Sequence, residues 1–149
     1  MRPDRLIAAL LLTCTSLVFA APAPARPAKA VPPPPYLTID HSNTTLISAS
    51  TALDMWQAQL PAGLVRLFPI RKWGFVSEVE GGFDDGKVCV ITARAMMLPR
   101  NGKTLVFQPA KTATAFGSQT GATVAQCQQL AKAKLSEAIG AVRSSLLAR

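Results

Sequence analysis

The chain has 149 residues, 49 % of them hydrophobic and 16 % charged. That is room for one domain rather than two, and too apolar a composition for an intrinsically disordered chain. Sixteen Lys and Arg against eight Asp and Glu leave a formal charge of +8, a balance that invites anionic partners. The cations are nevertheless scattered singly, with Arg71-Lys72 the nearest to a cluster. No arginine-rich arm, RNP-type aromatic motif or zinc-finger spacing marks a nucleic-acid module.

Residues 1–20 read as a secretory signal. Arg2 and Arg5 precede a short apolar run that ends Val18-Phe19-Ala20, the order of basic start, apolar stretch and small-residue cleavage site that export machinery recognises. The alternative is an uncleaved anchor, for which the run is short against the ~20 apolar residues of a membrane span. Cys14 follows Thr13 inside the run, not a small residue at its end, so a lipoprotein signal is not indicated and Cys14 leaves with the signal. Residues 21–35 (APAPARPAKAVPPPP) hold seven of the twelve prolines. Proline fixes φ and removes a donor, so this linker is expected to be extended and solvated. It is read as a disordered mature N-terminus, as a spacer if the signal is kept, or as a proline-rich ligand for an aromatic groove.

The folded part spans residues 36–149. Residues 36–40 and 44–48 are β-branched runs around a turn-like His41-Ser42-Asn43, a hairpin or a single irregular edge. Residues 51–60 read as a short helix, with Thr51 and Asp54 at capping-box spacing and Pro61 at its end. Residues 64–70 read as a strand near an edge, because Pro69 cannot donate to a ladder. Residues 73–80 are the next strand. Residues 81–87 read as a hairpin loop in which Asp85-Gly86 marks the turn.

The long strand 88–97 alternates Cys89, Ile91, Ala93, Ala95 and Met97 with Val88, Val90, Thr92, Arg94 and Met96. The small residues of the first set predict close approach of a helix. The second set is half apolar and predicts partial cover, with the N-terminal helix as the candidate. Asn101-Gly102 marks a turn, residues 104–108 a fourth strand, and residues 111–121 a polar loop. Thr123-x-x-Gln126 is a capping box that opens the long helix 123–147, whose apolar residues recur every three or four positions. The expected fold class is α+β: a four-stranded antiparallel meander with a long C-terminal helix on one face, a short N-terminal helix, and one disulfide. Export makes Cys89 and Cys127 a structural pair rather than reactive thiols. Closing so long a loop is worth roughly 4 kcal/mol on the chain-entropy model.

Motifs for chemistry are sparse. Glu78, Glu80, Asp84 and Asp85 form an acidic cluster that could bind a hard cation or serve acid–base catalysis, but two Glu on a strand and two Asp in a turn are ordinary surface features without EF-hand spacing. His41 is the only histidine, so a zinc site has too few nitrogen ligands. No serine sits in a nucleophile elbow, and no glycine-rich nucleotide loop is present. Arg94 needs a partner, Glu78 or Glu80 across the strand pair, or else serves as an anion anchor.

The function expected is therefore a non-enzymatic binding module, exported to the periplasm or beyond the cell, an accessory factor or an inhibitor of another envelope or secreted protein. Its candidate surface is Arg94, Val88, Val90 and Trp73. The alternatives are a small secreted hydrolase with Glu78 and Glu80 in a cleft, and a basic module for an anionic polymer. No cofactor, metal or nucleotide is implied, and membrane contact arises only if the signal stays uncleaved.

Overall fold

The structure, a computed structural model, describes residues 36–84 and 87–148. The expected signal and linker, and Asp85 of the acidic cluster, lie outside the described residues.

The fold is organised by its longest strand, β3 (Val88–Asn101), which pairs antiparallel with β2 (Trp73–Asp84) on one side and with β5 (Lys111–Thr120) on the other. The edge strand β1 (Thr38–Asp40) lies beside β2, and a two-residue β4 (Thr104–Leu105) folds back on the end of β3. Alternation along β3 sets the two faces. Cys89, Ile91, Ala93, Ala95 and Met97 are all buried at 2 % exposure or less. Against them lies α3 (Val124–Leu147), contributing Cys127, Ala131, Leu135, Ala138, Ile139, Val142 and Leu146. The alanines at the middle of β3 leave room for the helix axis, as their size predicts. The capping box forms as expected: Gln126 N–H donates to Thr123 Oγ1 (3.2 Å) and Thr123 N–H to Gln126 Oε1 (2.8 Å). Cys89 and Cys127 are joined, with Cα atoms 5.7 Å apart.

The sheet is mixed, not a pure meander. β1 runs parallel to β2 (Thr38↔Phe75, Ile39↔Val76, Asp40↔Ser77). A parallel pair requires a long crossover, and the chain between them supplies one through α1 (Ala49–Gln59) and α2 (Leu64–Leu67). The strand expected over residues 64–70 is this short helix α2. Its apolar run fits either element, and Phe68 N–H donates to Leu64 O in a helical turn instead of to a neighbouring strand. Helix α1 starts earlier than expected, because Ser48 is the cap and its Oγ accepts from Thr51 N–H. It also packs on the α3 side: Ala52 and Trp56 join the main core, the Trp56 and Phe75 rings are 5.1 Å apart, and Gln59 Nε2 donates to Ser136 Oγ. The second face of the sheet is thus not covered by α1, contrary to expectation.

Two further strand assignments change. Residues 111–120, expected as loop, are β5. The misreading has a physical source: the helix-facing side of β5 is Ala113, Ala115 and Gly117 rather than large apolar residues. A Cβ on Gly117 would sit 2.7 Å from Lys134 Cε and 3.2 Å from Leu130 Cδ1, so a larger residue there would require these side chains of α3 to shift. The fourth strand expected over residues 104–108 shrinks to β4, whose Leu105 packs with Val76, Met96, Leu98 and Ile39 in a small second core. That cluster is the actual cover over one end of the second face.

Candidate functional site: the open face of the sheet

Beyond the Leu105 cluster the second face is open among the described residues. Register places Val88 between Asp84 and Thr120, Val90 between Gly82 and Ser118, Thr92 between Glu80 and Phe116, and Arg94 between Glu78 and Thr114. The side chains of a strand alternate, so these twelve positions share one surface. Val88, Val90 and Thr92 are partly buried by lateral packing alone, and Phe116 is 63 % exposed. Val90 is uncovered on one flank because its neighbour, Gly82, has no side chain.

Arg94 finds the partner expected for it. Its NH1 donates to Glu78 Oε2 at 3.2 Å, with the two side chains 46 % and 27 % exposed. At that exposure the pair orients both groups and adds little stability. Glu80 is exposed beside Thr92, and Asp84 is exposed at the end of β2. Glu78 and Glu80 therefore lie on an open sheet surface rather than in a cleft. The described residues contain no group of three or more His, Cys, Asp or Glu placed to hold a metal ion.

Trp73 does not belong to this surface. It has the parity of Phe75, Ser77 and Val79, packs against the main core and meets Phe68 edge-on with ring centroids 6.1 Å apart. Phe116 takes the aromatic place on the open face instead. Its signal was the alternation Thr112, Thr114, Phe116, Ser118, Thr120 against small residues, a period of two carried by hydroxyls.

Two of the cavities among the described residues lie beside β1 and beside the disulfide. One, of about 250 Å3, is lined by Thr38, Ile39, Asp40, Ser50, Trp56 and Ser77 among others. Ser77 is fully buried and donates to Asp40 Oδ1 (2.7 Å), which also accepts from Ser42 Oγ (2.6 Å). No imidazole lines the cavity to take a proton from Ser77, and His41 is exposed outside the lining. The serine–carboxylate bond instead fastens β1 to β2. Ser77→Ala should lower stability by about 1.5–3 kcal/mol, the usual worth of a buried hydrogen bond to a carboxylate, read from the urea midpoint. A shift below about 0.5 kcal/mol would show that the bond contributes nothing. The other cavity, about 300 Å3, is lined by Thr45, Leu46, Gly82, Phe83, Val124, Cys127 and Gln128 beside the disulfide.

Among the described residues no helix is long and apolar enough to cross a membrane. No protein-family model matches the chain, and no curated protein and no solved structure is significantly similar to it.

Proposed function

We propose that the protein is an exported, non-enzymatic binding module of the cell envelope whose contact surface is the open sheet face around Arg94, Val88, Val90 and Phe116. The observation that carries the reading is the asymmetry of the sheet. One face is buried under two helices, while the other presents valines and a phenylalanine around an ion pair with no described element over them. Uncovered apolar and aromatic groups framed by polar ones are the usual composition of a protein-binding patch. A disulfide-pinned domain suits an oxidising compartment.

The charge on this face favours a protein partner over an anionic polymer. The chain as a whole is +8, yet the open face sets the carboxylates of Glu78, Glu80 and Asp84 against the single guanidinium of Arg94. A polyanion would be repelled where the apolar groups are.

The test is affinity capture from the envelope and culture medium of the source, at low and high salt, with the native chain and with an Arg94→Ala, Val90→Ala variant. The native chain should retain a protein partner at high salt, and the variant should bind it about tenfold more weakly or worse, as for a truncated interface centre. The variant should stay folded with a stability loss of about 1–2 kcal/mol, most of it from truncating the half-buried Val90 and little from the solvent-exposed ion pair. Equal capture by a stably folded variant would remove the open face from the function. Capture of nucleic acid or acidic glycan that disappears at high salt would replace this reading with an electrostatic one.

A further inference from the structure

We propose that two copies of the chain associate edge to edge through β5, antiparallel about a two-fold axis at Phe116, to give one continuous sheet with a doubled open face. The two edges of the sheet are unlike. β1 is three residues long, which is one way native sheets blunt an edge. β5 is ten residues long, holds no proline, pairs with β3 in unbroken register and carries its one charge, Lys111, at its first position. Among the described residues, none of the usual devices against edge pairing protects its middle.

The direction of its backbone groups follows from the ladder. Gly121 N–H donates to Lys87 O, so the odd-numbered residues of β5 exchange hydrogen bonds with β3. Antiparallel pairing alternates the direction of successive residues. The N–H and C=O groups of Thr112, Thr114, Phe116, Ser118 and Thr120 therefore point outward, and all these residues are exposed.

A two-fold axis through Phe116 satisfies that edge completely. Phe116 then faces Phe116 of the other copy, Thr114 faces Ser118, and Thr112 faces Thr120, each pair exchanging both backbone bonds. Facing aromatics and facing hydroxyls are favourable cross-strand pairs. The same register sets Lys111 opposite Gly121, so the two Lys111 side chains are at opposite ends of the seam. Over Gly117, Lys134 is already paired with Glu137 at 2.8 Å, which offsets the charge of that lysine beside the seam. The assembly closes, because the strands then left at its edges are the two short β1 strands.

The association shares Phe116 with the proposed contact surface, but it rests on the backbone edge of β5 and is tested without a partner. Analytical ultracentrifugation of the purified full chain, across a concentration series, should show a reversible species of twice the monomer mass. Thr114→Pro removes only an outward N–H and leaves the β3 ladder intact. It should shift the population to monomer with an unchanged circular dichroism spectrum. Phe116→Cys tests the register directly. Facing residues of a hydrogen-bonded pair have Cα atoms about 5.5 Å apart, within disulfide reach, so mild oxidation should give a covalent dimer. Thr114→Cys should not, because its copies stand roughly 13 Å apart along the seam. A chain that stays monomeric throughout the series, a dimer that keeps its affinity in the Thr114→Pro variant, an absence of Phe116→Cys cross-linking, or growth into open polymers would each overturn the proposal.

Discussion

Reduction of the Cys89–Cys127 bond should destabilise the domain by about 4 kcal/mol. The bond closes a segment of 38 residues, and the cross-link removes the corresponding freedom from the unfolded chain. Both sulfurs lie in the main core, with the cysteines 0 % and 1 % exposed. A reduced chain can bury two thiols there with little packing loss, so most of the effect is chain entropy. Against a typical stability of roughly 5–15 kcal/mol, the loss is a quarter of the total or more. The measurement is urea unfolding of the oxidised and the pre-reduced chain at one pH, compared by midpoint and slope. A difference under about 1 kcal/mol would mean that the unfolded chain keeps α3 close to β3 without the bond. The burial also predicts kinetics: reductant should attack the native protein slowly, and faster in proportion to added denaturant, because the bond must be exposed first.

Gly81→Ala should be the most damaging single glycine replacement, costing about 3 kcal/mol or more from two separate causes. Gly81 has φ of +124°, a conformation L residues rarely adopt, and an added Cβ would stand 2.0 Å from the carbonyl oxygen of Val90. That oxygen is backbone of the central strand, so relief requires moving β2 away from β3. Gly82 separates the causes. Its φ is +149°, but nothing lies within 4 Å of its Cβ position. Gly82→Ala should therefore cost only the conformational part, about 1–2 kcal/mol. Thermal or urea unfolding of the two variants side by side gives the comparison. Equal losses would assign the whole effect to φ and none to contact with Val90. The pair matters for the candidate site as well, since Gly82 is what leaves Val90 open on one flank.

The open face and the β5 edge meet at Phe116, and that residue shows why part of the candidate site was hidden. The residues of β3 announced their faces by alternation, because one side is buried and the other is not. β5 also alternates, yet its buried side is Ala113, Ala115 and Gly117, residues whose hydrophobic contribution is slight. Periodicity read from hydrophobicity therefore missed it, although periodicity read from side-chain size would have found it. That Arg94 needs a glutamate across the strand pair was legible, as Glu78 or Glu80, and the register of β2 and β3 selects Glu78. Trp73 is near the Arg94 face in sequence, but its parity with Phe75 puts it on the helix side.

Local chemistry determined the elements whose stabilising groups lie close together in the chain. The capping box of α3 joins Thr123 to Gln126, the apolar stripe of α3 recurs at the helical period, and the small residues of β3 mark where that helix approaches. The disulfide, although it joins segments 38 residues apart, was legible as well, because the expected loss of Cys14 with the signal leaves one possible pair. Only the tertiary structure decided the rest. β1 is a parallel partner of β2 because a helical crossover carries the chain across the sheet, a choice between distant segments that no local pattern encodes. Residues 64–67 became helical because no strand stood beside them to accept their hydrogen bonds. α1 joined α3 on one face because Trp56 and Phe75 fill the same part of the core. That packing left the opposite face, with Arg94, Val90 and Phe116, without a covering element among the described residues.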